Sequence, residues 1–158
     1  MKFLVLTTCL LCSFLFFDYK DEPYELNVNN DFNFIIFYDG ISCANCYKKL
    51  SNSINQNFEN SRIIALVKFQ NNIIDRKKLI VRAKEIFNFD ILLFDKLESS
   101  DNSLFKKYEI SKHRKTPALL LILPDTLYYF SFNDLFSNNN LDSVIFSLKC
   151  KLDKKVFE

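Results

Sequence analysis

Glycine and tryptophan are the scarce residues of this chain. Its 158 residues include one Gly, at position 40, and no Trp; His and Met occur once each and Pro three times. With so little glycine, tight or left-handed turns fall to Asn, Asp and Ser, whose short polar side chains tolerate such backbone. Asn29-Asn30-Asp31, Asn71-Asn72 and Asn138-Asn139-Asn140 fit that role. The one glycine that is kept stands just before a cysteine pair, so it reads as a local requirement of that loop. A basic stripe is also missing. The net charge is +2 with the signs interleaved, which excludes the electrostatic footprint of a nucleic-acid partner. The short cluster Lys112-His113-Arg114-Lys115 holds the single histidine and reads as a solvated loop. No internal repeat or linker divides the chain, and its length suits one domain with a real core.

No apolar run is long enough for a comfortable membrane span. The longest, Phe3 to Phe17 behind Met1-Lys2, covers about 15 residues where a spanning helix needs about 20. A basic start, an apolar run and a polar exit from Asp18 onward match a secretory signal peptide. Cleavage between Ser13 and Lys20, retention as an uncleaved anchor, and lipidation at Cys9 within Leu6-Thr7-Thr8-Cys9 all remain open. Each puts the body outside the cytoplasm, periplasmic or secreted, and the last two attach it to a membrane through the N-terminus. Residues 1–20 are therefore expected to be a signal peptide or anchor, 21–31 a lead-in, and 32–158 the folded domain. Of five cysteines, Cys9 and Cys12 go with the leader. The body keeps Cys43, Cys46 and Cys150, and an oxidising compartment favours disulfide chemistry over bare thiols. Cys150 is expected to be a small buried apolar residue of the last helix.

The body alternates strands and helices. Phe34–Tyr38 and Ile63–Phe69 are continuous apolar runs and read as buried strands. Cys46, Tyr47, Leu50, Ile54 and Phe58 recur at helical spacing, as do Leu79, Ala83, Ile86 and Phe87. A third strand is expected at 91–94, a short helix at 104–110, a hairpin of strands at 118–123 and 126–132, and a closing helix from Leu141 to about Val156. In that last helix Leu141, Val144, Ile145, Leu148 and Leu152 share one face. This order predicts an α/β sandwich with a mixed sheet.

Cys43-Ala44-Asn45-Cys46 stands where the first strand gives way to a helix. At this spacing two thiols can close into a disulfide across the first helical turn, or hold a soft metal ion such as Cu(I). A helix N-terminus favours an anion at Cys43, because free backbone N–H groups point at it, and a thiolate is the nucleophile of disulfide exchange. Lys48 and Lys49 add positive charge nearby.

Taken together, the chain resembles the thioredoxin-like superfamily, and within it the extracytoplasmic thiol-disulfide oxidoreductases of the TlpA/ResA type, which shade into the alkyl hydroperoxide reductase and redoxin families. The strand 34–38 running into the Cys43–Cys46 pair carries the resemblance. So do Ile91-Leu92-Leu93-Phe94-Asp95 followed by Leu104-Phe105-Lys106-Lys107-Tyr108-Glu109-Ile110, and Thr116-Pro117 leading into the strand 118–123. The resemblance spans roughly Phe32 to Val156. It implies a three-layer sandwich with a central mixed β-sheet flanked by helices. It also implies Cys43 as the attacking and Cys46 as the resolving thiol, and a cis Pro117 whose Thr116 backbone pairs with an extended substrate. Protein disulfides would be the substrates and an upstream thiol-disulfide protein the electron donor, with no cofactor or metal and a monomeric body.

The departures from that pattern are specific. Ser42 stands where the family usually has Trp, and Phe37 occupies the strand position of the buried thioredoxin acid. Tyr47, Lys48 and Lys49 follow Cys46, where the ResA type places a Glu. A non-catalytic binding protein of the same fold therefore stays open. So does a Cu(I)-binding module, because Gly40-Ile41-Ser42-Cys43-Ala44-Asn45-Cys46 is similar to the metal loop of heavy-metal-associated copper domains. Those domains place two strands between their helices, whereas residues 60–72 leave room for one. The peroxiredoxin Pro-x-x-x-Thr-x-x-Cys pocket is missing.

Overall fold

In the computed structural model the described residues are 16–17, 23–24, 32–40, 42–59, 61–68, 73–95, 104–107, 116–123 and 126–155. The segment 1–15 with Cys9 and Cys12, the Asn29–Asp31 and Asn71–Asn72 turns, residues 108–110 of the expected short helix, the basic cluster with His113, and the Pro124–Asp125 turn all lie outside them.

A mixed sheet forms the middle layer. β3 (Asn33–Tyr38) is an interior strand and every one of its residues is buried. An uninterrupted apolar strand of this kind is stable only where both sheet faces are covered. β4 (Arg62–Lys68) runs parallel to it, with Phe34 opposite Ile63 and Tyr38 opposite Val67. β5 (Ile91–Asp95) runs parallel to β4. Parallel neighbours need crossovers, and α1 (Ala44–Asn57) and α2 (Ile73–Ile86) supply them. Among the described residues β4 is the single strand between those two helices. On the other side of β3 lies β6 (Leu119–Ile122), antiparallel, followed by the antiparallel edge strand β7 (Leu127–Phe130). Two two-residue strands, β1 (Phe16–Phe17) and β2 (Pro23–Tyr24), extend the opposite edge beyond β5.

Alternation along the strands divides the core. Phe34, Ile36 and Tyr38 point to one face, where Tyr47, Leu50 and Ile54 of α1 and Ala83 of α2 pack on them. Ile145, Leu148 and Leu152 of the closing helix α5 (Leu141–Lys155) complete that layer. Ile35 and Phe37 point to the other face, under Leu104 and Phe105 of α3 (Leu104–Lys107). Buried Asp95 at the end of β5 accepts the Phe105 N–H at 3.2 Å, which ties the start of α3 to the sheet. Helix, sheet and helix make the three-layer α/β sandwich expected from the sequence.

Two local expectations need correction. The seventh strand ends at Phe130 rather than 132, because Ser131 starts a short helix, α4 (Phe132–Phe136). The Ser131 hydroxyl accepts the Asp134 N–H at 3.3 Å, and the Asp134 carboxylate accepts the Ser131 N–H at 2.7 Å, a capping box. A 3-10 turn at Ser137–Asn139 follows, with Asn138 in the left-handed region at φ 56°, the backbone for which Asn substitutes for glycine here. The second correction concerns Cys150, which is exposed and a free thiol. Leu148 and Leu152 hold the core side of α5, and a residue two positions from each faces away from them. Among the described residues no helix is long and apolar enough to cross a membrane.

Gly40 has φ 78°, and a Cβ there would run into the end of the Leu79 side chain. Gly40→Ala is expected to cost about 1–2 kcal/mol from the left-handed backbone alone. Urea unfolding of the two proteins measures this; an unchanged midpoint would show that the loop can take another path.

Candidate functional site

The site forms where β3 stops. After Tyr38 the chain turns through Asp39 and Gly40, and Cys43 becomes the N-cap of α1. The Cys43 carbonyl accepts the N–H groups of Cys46 at 3.0 Å and Tyr47 at 3.3 Å, and its sulfur also accepts the Cys46 N–H at 3.3 Å. Sulfur thus takes the place of the oxygen with which Ser or Asp usually caps a helix. No acidic residue occupies the first turn of α1 to oppose an anion there.

The two thiols are not equivalent. Cys43 is exposed and Cys46 is half-buried one turn into the helix, both as free thiols. The Cys43 thiol is held below its ordinary range, chiefly by hydrogen bonding from the Cys46 side chain, then by the backbone N–H groups of Cys46 and Asn45 and the Lys49 charge. Cys46 is pushed up to about 11, first by burial, then by its hydrogen bond to Cys43 and the negative charge Cys43 carries. Of the two lysines singled out in the sequence, Lys49 is the one that acts on both sulfurs. The arrangement separates an accessible nucleophile from a sheltered partner that keeps its proton.

Thr116 and Pro117 arrive at the same place from the other side. β6 begins at Leu119 and runs antiparallel to β3, with Leu119 opposite Ile36 and the Ala118 carbonyl accepting the Phe37 N–H at 3.1 Å. The residues just before β6 therefore meet the residues just after β3. The Thr116–Pro117 peptide bond is cis, and Thr116 is buried. The Thr116 hydroxyl donates to the Ser42 hydroxyl at 2.7 Å, across 74 positions of sequence.

Three residues that carried no role in the sequence reading hold this junction. Asp39 accepts the Ser42 hydroxyl at 2.6 Å through one oxygen, and the Ser42 N–H at 3.0 Å through the other. The second oxygen also accepts the Tyr47 hydroxyl at 3.2 Å. Tyr47 is fully buried, edge-on to Tyr38 at 5.0 Å and stacked on Phe87 at 5.3 Å. Burial and the Asp39 carboxylate together raise its hydroxyl well above the usual tyrosine range. The only sequence signal for this set was the Asp-Gly-x-Ser string, whose aspartate bonds the backbone N–H three residues on. Among the described residues no three His, Cys, Asp or Glu side chains gather as a metal-binding set.

No protein-family model matches the sequence, and no curated protein matches it. The fold has clear counterparts among solved structures. An uncharacterized thioredoxin-like protein from Porphyromonas gingivalis superposes with a TM-score of 0.61 at 13% identity, covering 90% of this chain and 91% of that one. A secreted Mycobacterium tuberculosis disulfide oxidoreductase homologous to E. coli DsbE gives 0.53 at 13% identity, over 85% and 96% of the two chains. BsSco, of the Sco family of cytochrome c oxidase assembly proteins, gives 0.52 at 17% identity, over 87% and 91%. At these identities the likeness concerns the fold, which is thioredoxin-like.

The charge asymmetry predicts a pH profile. Alkylation follows the thiolate, whose fraction falls about tenfold per pH unit below the pKa. Cys43 is expected to react with a midpoint below that of an ordinary thiol, and Cys46 to stay unreactive until pH approaches about 11. Iodoacetamide labelling of the reduced protein, read by peptide mass, checks both; equal midpoints would contradict the asymmetry. Tyr47→Phe keeps the ring packing and removes a hydroxyl bonded to a carboxylate, so it is expected to lose roughly 1.5–3 kcal/mol in urea unfolding.

Proposed function

We propose that this thioredoxin-fold chain is a thiol-disulfide oxidoreductase of the TlpA/ResA type, acting on protein disulfides outside the cytoplasm. The observation that carries the reading is the exposed Cys43 sulfur at the α1 N-cap, with its thiol lowered and that of Cys46 raised. In the reductive direction the Cys43 thiolate attacks one sulfur of a substrate disulfide. That S–S bond breaks, a Cys43–substrate disulfide forms, and the departing thiolate takes up a proton. Two of the three influences that hold the Cys46 proton, the hydrogen bond to Cys43 and the Cys43 charge, vanish once Cys43 is in a mixed disulfide. Cys46 can then ionise and attack the Cys43 sulfur. The second substrate thiol leaves, and the pair ends as a disulfide, two electrons having passed to the substrate. An upstream thiol-disulfide protein restores the dithiol.

Thr116 and Pro117 serve as the substrate-binding loop, offering the Thr116 backbone to an extended segment beside Cys43. The Met1-Lys2 start and the apolar run behind it support export or anchoring of the body through its N-terminus, with Phe16 and Phe17 at the end of that run paired into the sheet as β1. The likeness in fold to a secreted disulfide oxidoreductase favours the same location.

Equilibration in glutathione buffers, with thiols counted after acid quench, is expected to show a reversible two-electron couple at Cys43 and Cys46. Cys46→Ser should accumulate a mixed disulfide with a protein substrate, and Cys43→Ser should reduce none above background. Absence of a couple would end the oxidoreductase reading. A normal couple without turnover on any protein disulfide would make the chain a binding protein. Stoichiometric Cu(I) uptake without disulfide exchange would assign the pair to metal capture.

A further inference from the structure

The mechanism above uses the two cysteines and the Thr116–Pro117 loop but leaves unexplained what holds them in register. The loop that carries Cys43 contains Gly40 in the left-handed region, and Ser42 rather than a large side chain precedes Cys43. Thr116 precedes its strand and lies outside the paired residues of the β3–β6 register. What spans the gap is a directed chain of hydrogen bonds. Thr116 donates to Ser42 at 2.7 Å, Ser42 donates to Asp39 at 2.6 Å, and Tyr47 donates to Asp39 at 3.2 Å. The Ser42 N–H adds a third bond to the carboxylate at 3.0 Å. Every group around Asp39 in this set is a donor, so the arrangement is built for an ionised carboxylate and bonds of the stronger, charge-assisted kind. Because Ser42 spends its single proton on Asp39, its oxygen stays open to accept from Thr116. Ser42 is also the residue bonded to Cys43, and Tyr47 is the residue bonded to Cys46. One carboxylate thus reaches both cysteines through their chain neighbours and reaches the opposite loop through Thr116.

We propose that Asp39 is a positioning residue for the dithiol. As the shared acceptor of Ser42 and Tyr47, it locks the Cys43 loop to the Thr116–Pro117 loop, and so sets both the ionisation of Cys43 and the capture of an extended protein substrate. The proposal rests on the oxidoreductase reading for its second half alone. The bonds that hold the Cys43 thiol low come from Cys46 and Asn45 at the start of α1, and Asp39 bears on them by holding the Ser42 and Tyr47 positions that flank the pair. That fixes the sign: loosening the N-cap weakens the bonds to the Cys43 sulfur and raises its pKa, whereas loss of a nearby negative charge would lower it.

The test compares the wild-type protein with Asp39→Asn, Asp39→Glu and Ser42→Ala. Asparagine keeps one acceptor oxygen but removes the charge and turns the other position into a donor, so the set of bonds converging on an ionised carboxylate is lost. Ser42→Ala removes the Ser42 bonds to Thr116 and to the carboxylate and leaves the Tyr47 bonds to Asp39 and Thr116, so it carries the test if Asp39→Asn does not fold. The first readout, independent of turnover, is the pH midpoint of Cys43 alkylation, expected to rise in Asp39→Asn and Ser42→Ala and to return toward wild type in Asp39→Glu. The second is reduction of insulin, a protein disulfide, against reduction of dithiobis(nitrobenzoate), which needs the thiolate but not the Thr116 loop. Insulin reduction is expected to fall about ten- to hundredfold in Asp39→Asn, the equivalent of one lost bond to a charged group, with a smaller loss on the small disulfide. An unchanged midpoint in folded variants, a lowered midpoint, or equal losses on both substrates would overturn the positioning role. A wild-type protein that lacks a redox couple would overturn the oxidoreductase reading instead, while the alkylation midpoints still decide the role of Asp39 at Cys43.

Discussion

The antiparallel pairing of β6 with β3 is the constraint on which the site depends. With Leu119 opposite Ile36, the register continues through Ala118 and Phe37 to set Thr116 level with Asp39. Two loops far apart in sequence are thereby brought end to end at the C-terminal edge of β3. Full burial of β3 on both faces holds that register, because a slip by one residue would exchange the residues under α1 for those under α3. The cysteine pair, the cis Thr116–Pro117 bond and the Asp39 network all sit on this one alignment.

Helix α1 adds direction to what the sheet brings together. Its N-terminus presents backbone donors to Cys43, and its packing side carries Tyr47, Leu50 and Ile54 into the core. Tyr47 belongs to both roles. Its ring is clamped by Tyr38 and Phe87, and its hydroxyl meets Asp39. The first turn of α1 is thus anchored by an aromatic one residue after the pair. Cys43 can consequently stand exposed at the N-cap while Cys46 is half-sheltered behind it.

Much of this organisation was legible from residue patterns. The buried strands announce themselves as apolar runs, and α1, α2 and α5 as apolar stripes, since periodicity reports which side of an element is covered. The cysteine spacing and the strand before it located the pair, and the single glycine marked the turn. The helix at Phe132–Phe136 was missed although Ser131 and Asp134 have the spacing of a capping box, because the aromatic run Tyr128-Tyr129-Phe130-Ser131-Phe132 reads as an uninterrupted strand. Cys150 was misplaced because a small apolar residue in a helix carries no label for its side; only its phase against Leu148 and Leu152 does.

By itself the sequence determined the local chemistry: two thiols one helical turn apart, at a strand-to-helix junction, in a body whose strands are buried on both faces. These follow from spacing and hydrophobic period, which are properties of neighbouring residues. The tertiary structure alone decided that Asp39, Ser42, Tyr47 and Thr116 form one connected set, because a hydrogen bond between positions 42 and 116 exists only through the β3–β6 register. It also decided the inequality of the thiols. The backbone donors at Cys43 follow locally from the helix start, whereas the burial that raises Cys46 is a consequence of where α1 lies on the sheet, and no pattern of four letters encodes it.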